Sequence, residues 1–381
     1  GPEYIIPAPF DPRLIERVPA AVAQAAMDSG VAKKPIFDME AYKGELRARL
    51  NPSSSALAAM FEQAREKARR VVFAEGEQEV VLRAAVSFRT SGYGVPLLVG
   101  REDPIREGFQ RIGVTDPENY PVHNSANSPL VPEMVDRLYS RLQRQGYLRR
   151  DVQRMINQDR NYFGATLVAQ GEADAMVTGV TRNFNMALRE VQRVLEVKET
   201  LIGLSILLAR GRTLFVADTS IHELPDAQEL ADIACQAAAS VRRLGRNPRV
   251  AFMSYSTFGN PPGDRGEKVR EAIRILDKKG VDFEYEGEMP PEVALDPRGH
   301  SAYAFNRLTK PANVLVMPAI HSAAISTKLV QALGGATLIG PLLVGLEKPV
   351  QIVSLGASVN DILTGATFAA YDAGPAFQGT G

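Results

Sequence analysis

The sequence of 381 residues holds a single cysteine, Cys235. One cysteine excludes an internal disulfide and fits a reducing compartment, so a cytoplasmic protein is expected, with Cys235 a small core residue on the apolar side of its helix. Net charge is missing too. Lys plus Arg and Asp plus Glu each number 44, which leaves no global basic field to gather nucleic acid or an anionic membrane. No run reaches the roughly 18 apolar residues that span a bilayer, and the amino end lacks the basic-then-apolar pattern of a secretory signal. Neither G-x-x-x-x-G-K-[ST] nor a complete G-x-G-x-x-G occurs, since Gly92 and Gly94 lack the third glycine. A P-loop and a dinucleotide fingerprint are therefore excluded.

What is present is an α/β rhythm in a chain too long for one ordinary core, so two or three compact units are expected. The first fifty residues differ in style. EYIIPAPFDPRL is punctuated by proline, and RLIERVPAAVAQAAMDSG is a helix pattern that Pro19 should break and Gly30 close. From Ser53 onward the pattern predicts a helix over 56–68, a strand Arg70–Phe73, the turn Ala74-Glu75-Gly76 and a helix Glu79–Phe88. A strand Val95–Val99, a short helix Pro104–Ile112, two helices Val131–Gln145 and Asp151–Gln170, and a strand Ala175–Val177 follow.

The most informative stretch is Thr213 to Gly259. Leu214–Val216 reads as a buried strand closed by Asp218, and Pro225 opens a helix with apolar residues at Leu230, Ile233, Ala234, Ala237, Val241 and Leu244 that Gly245 ends. With the strand Val250–Met253 this predicts a right-handed βαβ crossover. Beyond it come strands at Val281–Glu284 and Val314–Met317, then a helix running through Lys328 and Gln331.

Three loops at strand ends carry the chemistry. Ser254 to Gly263 offers hydroxyl side chains and two glycines at the carboxyl end of a parallel strand, where ligands bind in open α/β sheets. An ordinary strand-to-helix loop is the other reading. Asp264 with Glu267 is expected as the N-cap pair of the next helix. Thr178 to Phe184 delivers polar groups ahead of a helix bearing Arg189, which either meets a ligand phosphate or sits as a surface arginine. His321, at a helix start after Pro318, could contact a carbonyl or phosphate, but a lone histidine lacks the spacing of a metal site, so no metal ligands are assigned.

DAQELADIACQAAASVRRLGRNPRVAFMSYST, residues 226–257, resembles the phosphotransacetylase signature of an Asp/Glu-Leu-Ala-Asp-Ile-Ala helix followed by a Ser-Tyr-Ser-Thr loop. The resemblance extends over roughly residues 51–381 and is closer still to the phosphotransacetylase-like C-terminal domain of bacterial NADP-dependent malic enzymes. IIPAPFDPRLIERVPAAVAQAAMDSGVAKKPI resembles the end of a malic enzyme catalytic domain and its linker. The resemblance implies a two-lobed phosphotransacetylase-like fold, of the isocitrate and isopropylmalate dehydrogenase kind, with parallel-rich sheets and an interlobe cleft. One lobe would be 51–200 with 343–381, the other 201–342, and residues 1–50 the tail of a catalytic domain in the same longer chain. It also implies a homo-oligomer. NADP and a divalent metal would belong only to the missing catalytic domain, which turns malate into pyruvate and CO2.

The ligand implied for these residues is acetyl-CoA, bound through Arg182, Asn183, Arg189, Tyr255, Ser256, Thr257, His321, Lys328, Ser354, Leu355 and Asp361. In the transferase reaction that the family implies, an aspartate helps deprotonate the CoA thiol, the thiolate attacks acetyl phosphate, and arginine offsets the developing charge. Here Arg182 stands for a histidine and Met186 for an aspartate. Ala319, His321 and Ala323-Ala324 stand for an aspartate, an asparagine and a Gly-Asn pair, and Gln331-Ala332 for Gln-Arg. Ser354, Gly356 and Asp361 keep the Ser-Arg-Gly-x-x-x-x-Asp element, but its arginine is Leu355. Losing one preorganised donor costs about 10²- to 10³-fold in rate. The expectation is a regulatory, acetyl-CoA-binding domain without catalytic residues of its own. An active phosphate acetyltransferase and a purely structural oligomerisation domain are the alternatives.

Overall fold

The computed structural model describes residues 12–32, scattered positions between 35 and 43, 60–209 except 67, 212–296, 298 and 302–374. Much of the expected appendage, including Gly1, Pro2 and residues 44–50, and the start of the helix expected over 56–68 lie outside the described residues. The helix Pro12–Asp28 does not break at Pro19 but runs through it. Proline forfeits one hydrogen bond there, and the alanine-rich turns that follow are strong helix formers, so the helix continues to Asp28 and turns off at Gly30, which takes φ +73°.

Among the described residues eleven strands form two sheets: β1 Arg69–Phe73, β2 Gly94–Val99, β3 Val122–His123, β4 Ala175–Thr178, β5 Val197–Ala209, β6 Arg212–Ala217, β7 Arg249–Met253, β8 Glu284–Met289, β9 Val314–Val316, β10 Thr337–Leu346 and β11 Val350–Ile352. The first sheet is parallel throughout, in the order β11-β4-β1-β2-β3. The second has the order β10-β5-β6-β9-β7-β8. Its strands β6, β9, β7 and β8 are parallel, while β5 and β10 form an antiparallel margin. Helices between successive parallel strands cover the apolar faces, as such sheets require.

Several expectations are corrected. The expected βαβ unit is present, β6 and β7 being parallel and joined through the helix Ala227–Arg243, with β9 inserted between them and paired with both. The strand expected at Val281–Glu284 begins only at Glu284. Arg242 explains this, since its guanidinium grips both carboxylate oxygens and the carbonyl of Asp282 at 2.7–2.9 Å and holds that segment beside the helix. The single helix expected over Asp151–Gln170 is two, Arg149–Gln158 and Arg160–Gln170. Asp159 separates them with an extended backbone, and its Oδ1 accepts the Asn161 N–H at 2.8 Å as an N-cap.

The chain passes from the first sheet to the second between Leu195 and Val197 and returns between Leu346 and Val350, so the expected division points Thr200 and Leu343 fall inside β5 and β10. The two crossings are laced together. Glu196 N–H donates to Glu347 Oε1 at 3.0 Å, and Glu347 N–H donates to the Glu196 carbonyl at 2.9 Å. The side-chain amide of buried Gln351 pairs with both backbone groups of Leu343, fastening β11 to β10. Helix Val359–Asp372 is buried almost all round and packs on β1, β4 and β11. Its Ala366 and Phe368 belong to a hydrophobic cluster that also takes in Val71 and Phe73 of the first sheet and Ile202 and Phe215 of the second. No helix among the described residues is long and apolar enough to cross a membrane.

Candidate functional site

The carboxyl ends of the parallel strands deliver the polar loops. After β7, the Ser-Tyr-Ser-Thr loop is tied from beneath. Ser256 is fully buried, and its Oγ donates to Glu288 Oε1 at 2.7 Å. The same oxygen accepts the Gly259 N–H at 3.0 Å and Arg270 Nη1 at 2.8 Å. Gly266 lets this happen, because a Cβ there would stand 3.0 Å from both Glu288 Oε1 and Ser256 Oγ. Ser256 thus faces inward, while Tyr255 is 64% exposed and Thr257 turns back on Asn260 through backbone hydrogen bonds. The next helix is Asp264–Lys279, capped by the backbone of Gly263 and not by an Asp264–Glu267 pair. Glu267 is drawn elsewhere: bonds to Arg270 and Arg274 engage its carboxylate and lower its pKa.

At the end of β6, buried Asp218 accepts the Gly203, Ser220 and His222 N–H groups at 2.7–2.9 Å. Its Oδ2 also holds His222 Nδ1 at 2.7 Å. That bond raises the histidine pKa against an opposing desolvation. The loop leans on the start of the helix Ile320–Gly334 through Ile320 N–H to the Glu223 carbonyl. His321 and Lys328 on this helix are both exposed.

The first sheet contributes a second group. Val353 N–H donates to the Thr178 carbonyl at 2.8 Å, so the loops after β4 and β11 lie side by side. Gly179, at φ +119°, permits this, since a Cβ would stand 2.2 Å from the Val353 oxygen. Glu75, 2% exposed, accepts the N–H groups of Gly179, Val180 and Thr181 and the Thr181 hydroxyl at 2.9–3.1 Å. The Arg182 guanidinium is gripped by Asp159 and Glu190 together. Glu190 in turn accepts Asn161 Nδ2 at 2.7 Å, and Thr178 Oγ1 donates to Asn161 Oδ1. Asn183 caps the helix Phe184–Val194 by accepting the Asn185 N–H. Arg189 is exposed, with Nε 3.3 Å from the Asn185 carbonyl.

On the loop after β11, Ser354 is exposed and Leu355 is 60% exposed. Asp361 accepts Ser358 N–H at 2.9 Å and Ser358 Oγ at 2.7 Å in a capping box of the helix Val359–Asp372, so its carboxylate closes a helix end.

β4–β11 pairing therefore gathers Arg182, Asn183, Arg189, Ser354, Leu355 and Asp361, and the β7–β9 neighbourhood gathers Tyr255, Ser256, Thr257, His321 and Lys328. Between them runs the loop after β6, whose Ile221 packs against the cluster containing Leu188, Leu201 and Leu343. Sequence reasoning missed Glu75, Asp159, Glu190, Asp218, His222 and Glu288. Two of these share a visible signal, an acid one residue after a buried strand and an alanine, in Phe73-Ala74-Glu75 and Val216-Ala217-Asp218. Among the described residues no group of three or more His, Cys, Asp or Glu is placed to hold a metal ion.

Residues 55–370 match the phosphate acetyl/butaryl transferase family. The chain is 54% identical over 377 residues to the NADP-dependent malic enzyme of Rhizobium meliloti (strain 1021), covering 98% of this chain and 50% of that protein. It is 35% identical over 381 residues to the Escherichia coli (strain K12) NADP-dependent malic enzyme, with the same coverage. It thus spans about half the length of the curated malic enzymes it matches. The phosphate acetyltransferase of Staphylococcus aureus (strain MRSA252) is 31% identical over 301 residues, 77% of this chain and 91% of that one. Among solved structures, a phosphotransacetylase from Streptococcus pyogenes superposes with a TM-score of 0.79 at 30% identity, over 84% of this chain and 98% of the other.

Proposed function

The chain belongs to the phosphate acetyl/butaryl transferase family, and we propose that it is the acetyl-CoA-binding regulatory part of a malic enzyme and transfers no acetyl group itself. The observation that carries this reading is the state of the charged groups around the paired loops after β4 and β11. Arg182 is spent on Asp159 and Glu190, Asp361 on a helix cap, and the position between Ser354 and Gly356 is an exposed leucine. A phosphoryl oxyanion would find apolar surface at Leu355, where charge stabilisation is usually the largest catalytic term. Tyr255, Thr257, His321, Lys328, Arg189 and Ser354 remain as groups for a long nucleotide whose contact area does not depend on one anion site.

The similarity to malic enzymes supplies the rest of the proposal. The other half of such a protein oxidises malate to pyruvate and CO2 with NADP and a divalent metal, and acetyl-CoA, formed downstream of pyruvate, inhibits it from this domain. A differential affinity of about 1–3 kcal/mol between two conformations gives a 5- to 150-fold effect.

Calorimetric titration with acetyl-CoA, paired with an assay of thiol release in phosphate, tests the core of the proposal. Saturable binding without turnover is expected. Turnover within tenfold of the usual enzyme range of about 1–10³ per second overturns it in favour of a transferase, and no binding at all leaves only a structural domain.

A further inference from the structure

The loop after β6 holds a histidine that is absent from the expected ligand groups. His222 Nδ1 lies 2.7 Å from Asp218 Oδ2, and the same carboxylate accepts the His222 and Ser220 N–H groups, so one buried acid fixes both ring and backbone. With Nδ1 engaged, Nε2 is the ring nitrogen left to meet a partner, and the side chain keeps 19% exposure where Asp218 keeps 2%. Its two chain neighbours place it. Ile221 packs on the cluster that contains Leu188, from the helix after β4, and the Glu223 carbonyl accepts the N–H of Ile320 at the start of helix Ile320–Gly334. His222 therefore lies between the loops of the two sheets, at the carboxyl end of a parallel strand.

We propose that His222 is the anion-binding group of the cleft: its imidazolium donates Nε2–H to a phosphate oxygen of the bound ligand and makes binding depend on the ring proton. For the ligand's identity this rests on the acetyl-CoA reading, since CoA carries a diphosphate and a phosphate monoester. Deprotonation does more than weaken the contact. A neutral ring whose Nδ1–H stays on Asp218 turns a lone pair toward the phosphate, so a donor becomes a repulsion. Asp218, with Glu229 and Asp226 at the start of the next helix, holds the proton on the ring against burial and raises its pKa above the ordinary value of about 6.5. Helix Ile320–Gly334 brings His321 and Lys328 and no acid. Helix Phe184–Val194 brings exposed Arg189, with Glu190 engaged by Arg182 and Arg193 by the Tyr162 hydroxyl. The uncapped amino end of helix Ile320–Gly334, at Ala319, adds a weaker attraction of the same sign.

Calorimetry with acetyl-CoA between pH 6 and pH 9, on the unaltered chain and on His222→Gln, tests this. Affinity of the unaltered chain should fall about tenfold as pH rises, and the variant should bind about tenfold more weakly at pH 6 with no further fall. The sign is diagnostic, because a phosphate monoester, with its second pKa near about 6, gains charge over the same range and by itself strengthens binding to cations. A second measurement needs no variant: in histidine-labelled protein, inorganic pyrophosphate should move the NMR titration of the His222 ring upward. Equal affinity of a folded variant and the unaltered chain at pH 6, or an affinity that does not fall with pH, overturns the inference and leaves the acetyl-CoA reading standing. A ring that responds to pyrophosphate in a chain that ignores acetyl-CoA does the reverse, and a chain indifferent to both overturns both.

Discussion

Both sheets end in loops held by a buried carboxylate, but they spend their positive charges differently. In the five-stranded sheet Glu75 gathers the loop after β4, and the guanidinium on that loop, Arg182, is consumed by Asp159 and Glu190. In the six-stranded sheet Asp218 and Glu288 hold their loops in the same manner, yet Lys328 and His321 project into solvent from a helix with no acid on it. Arg182 of the first group is internal structure, as Arg270 is in the second, whereas the exposed Arg189, Lys328 and His321 face the outside. An arginine in a candidate ligand loop is thus no evidence of a ligand until its carboxylate partners have been counted.

The largest expected effect comes from removing the carboxylate that organises the first group. Glu75→Ala leaves three backbone N–H groups without their acceptor in a buried place and should cost about 3–5 kcal/mol in denaturant unfolding. A loss below about 1 kcal/mol would mean that water replaces the carboxylate and that the loop is not built on it.

Arg182→Met comes next, at about 2–4 kcal/mol, because two mostly buried carboxylates are left facing each other. Its acetyl-CoA affinity, measured where the variant is folded, should change less than twofold. A stable variant that binds acetyl-CoA tenfold more weakly would reverse the comparison and return Arg182 to the ligand.

How much of this was legible beforehand depends on sequence distance. The βα alternation and the helix Ala227–Arg243 with its stripe could be read because a strand or helix writes its own period. The antiparallel β5–β10 margin could not, because Leu201–Leu207 is buried without alternation and its partners, from Leu338 for Leu207 to Val344 for Ile202, lie far along the chain. The site was legible only as a set of loops. That Ser256 faces inward is decided by Glu288, thirty-two positions along, and Glu75 meets its donors 104 to 106 positions away. Helix boundaries set by a single side chain, as at Asp159, are likewise invisible to periodicity.

A smaller effect concerns pH. The bond to Asp218 raises the His222 pKa in the folded state, with Asp226 and Glu229 adding to it, so the imidazolium contributes stability that is complete below the unfolded value of about 6.5. That contribution is lost as pH rises through the folded pKa. His222→Ala should therefore destabilise more at pH 6 than at pH 9, by about 1 kcal/mol. An equal loss at both values would make the contact purely steric.

Least costly to the fold is Lys328→Met, expected within about 0.5 kcal/mol of the parent since the side chain is exposed. Here the prediction concerns affinity: acetyl-CoA should bind several-fold more weakly, and more so at low salt, where screening is least. Unchanged affinity would remove Lys328 from the ligand and leave it as a surface residue.

The paired crossings at Glu196 and Glu347 have a mechanical consequence. A single tether would let one lobe swivel freely about the other, whereas two, bonded to each other side by side, act as a strip hinge that resists twisting and yields only to bending. Any motion between the sheets should on this ground favour opening and closing over twisting. The same topology means that no single cut in the chain separates the lobes, because β11 and its helix must return to the sheet that the chain left 150 residues earlier.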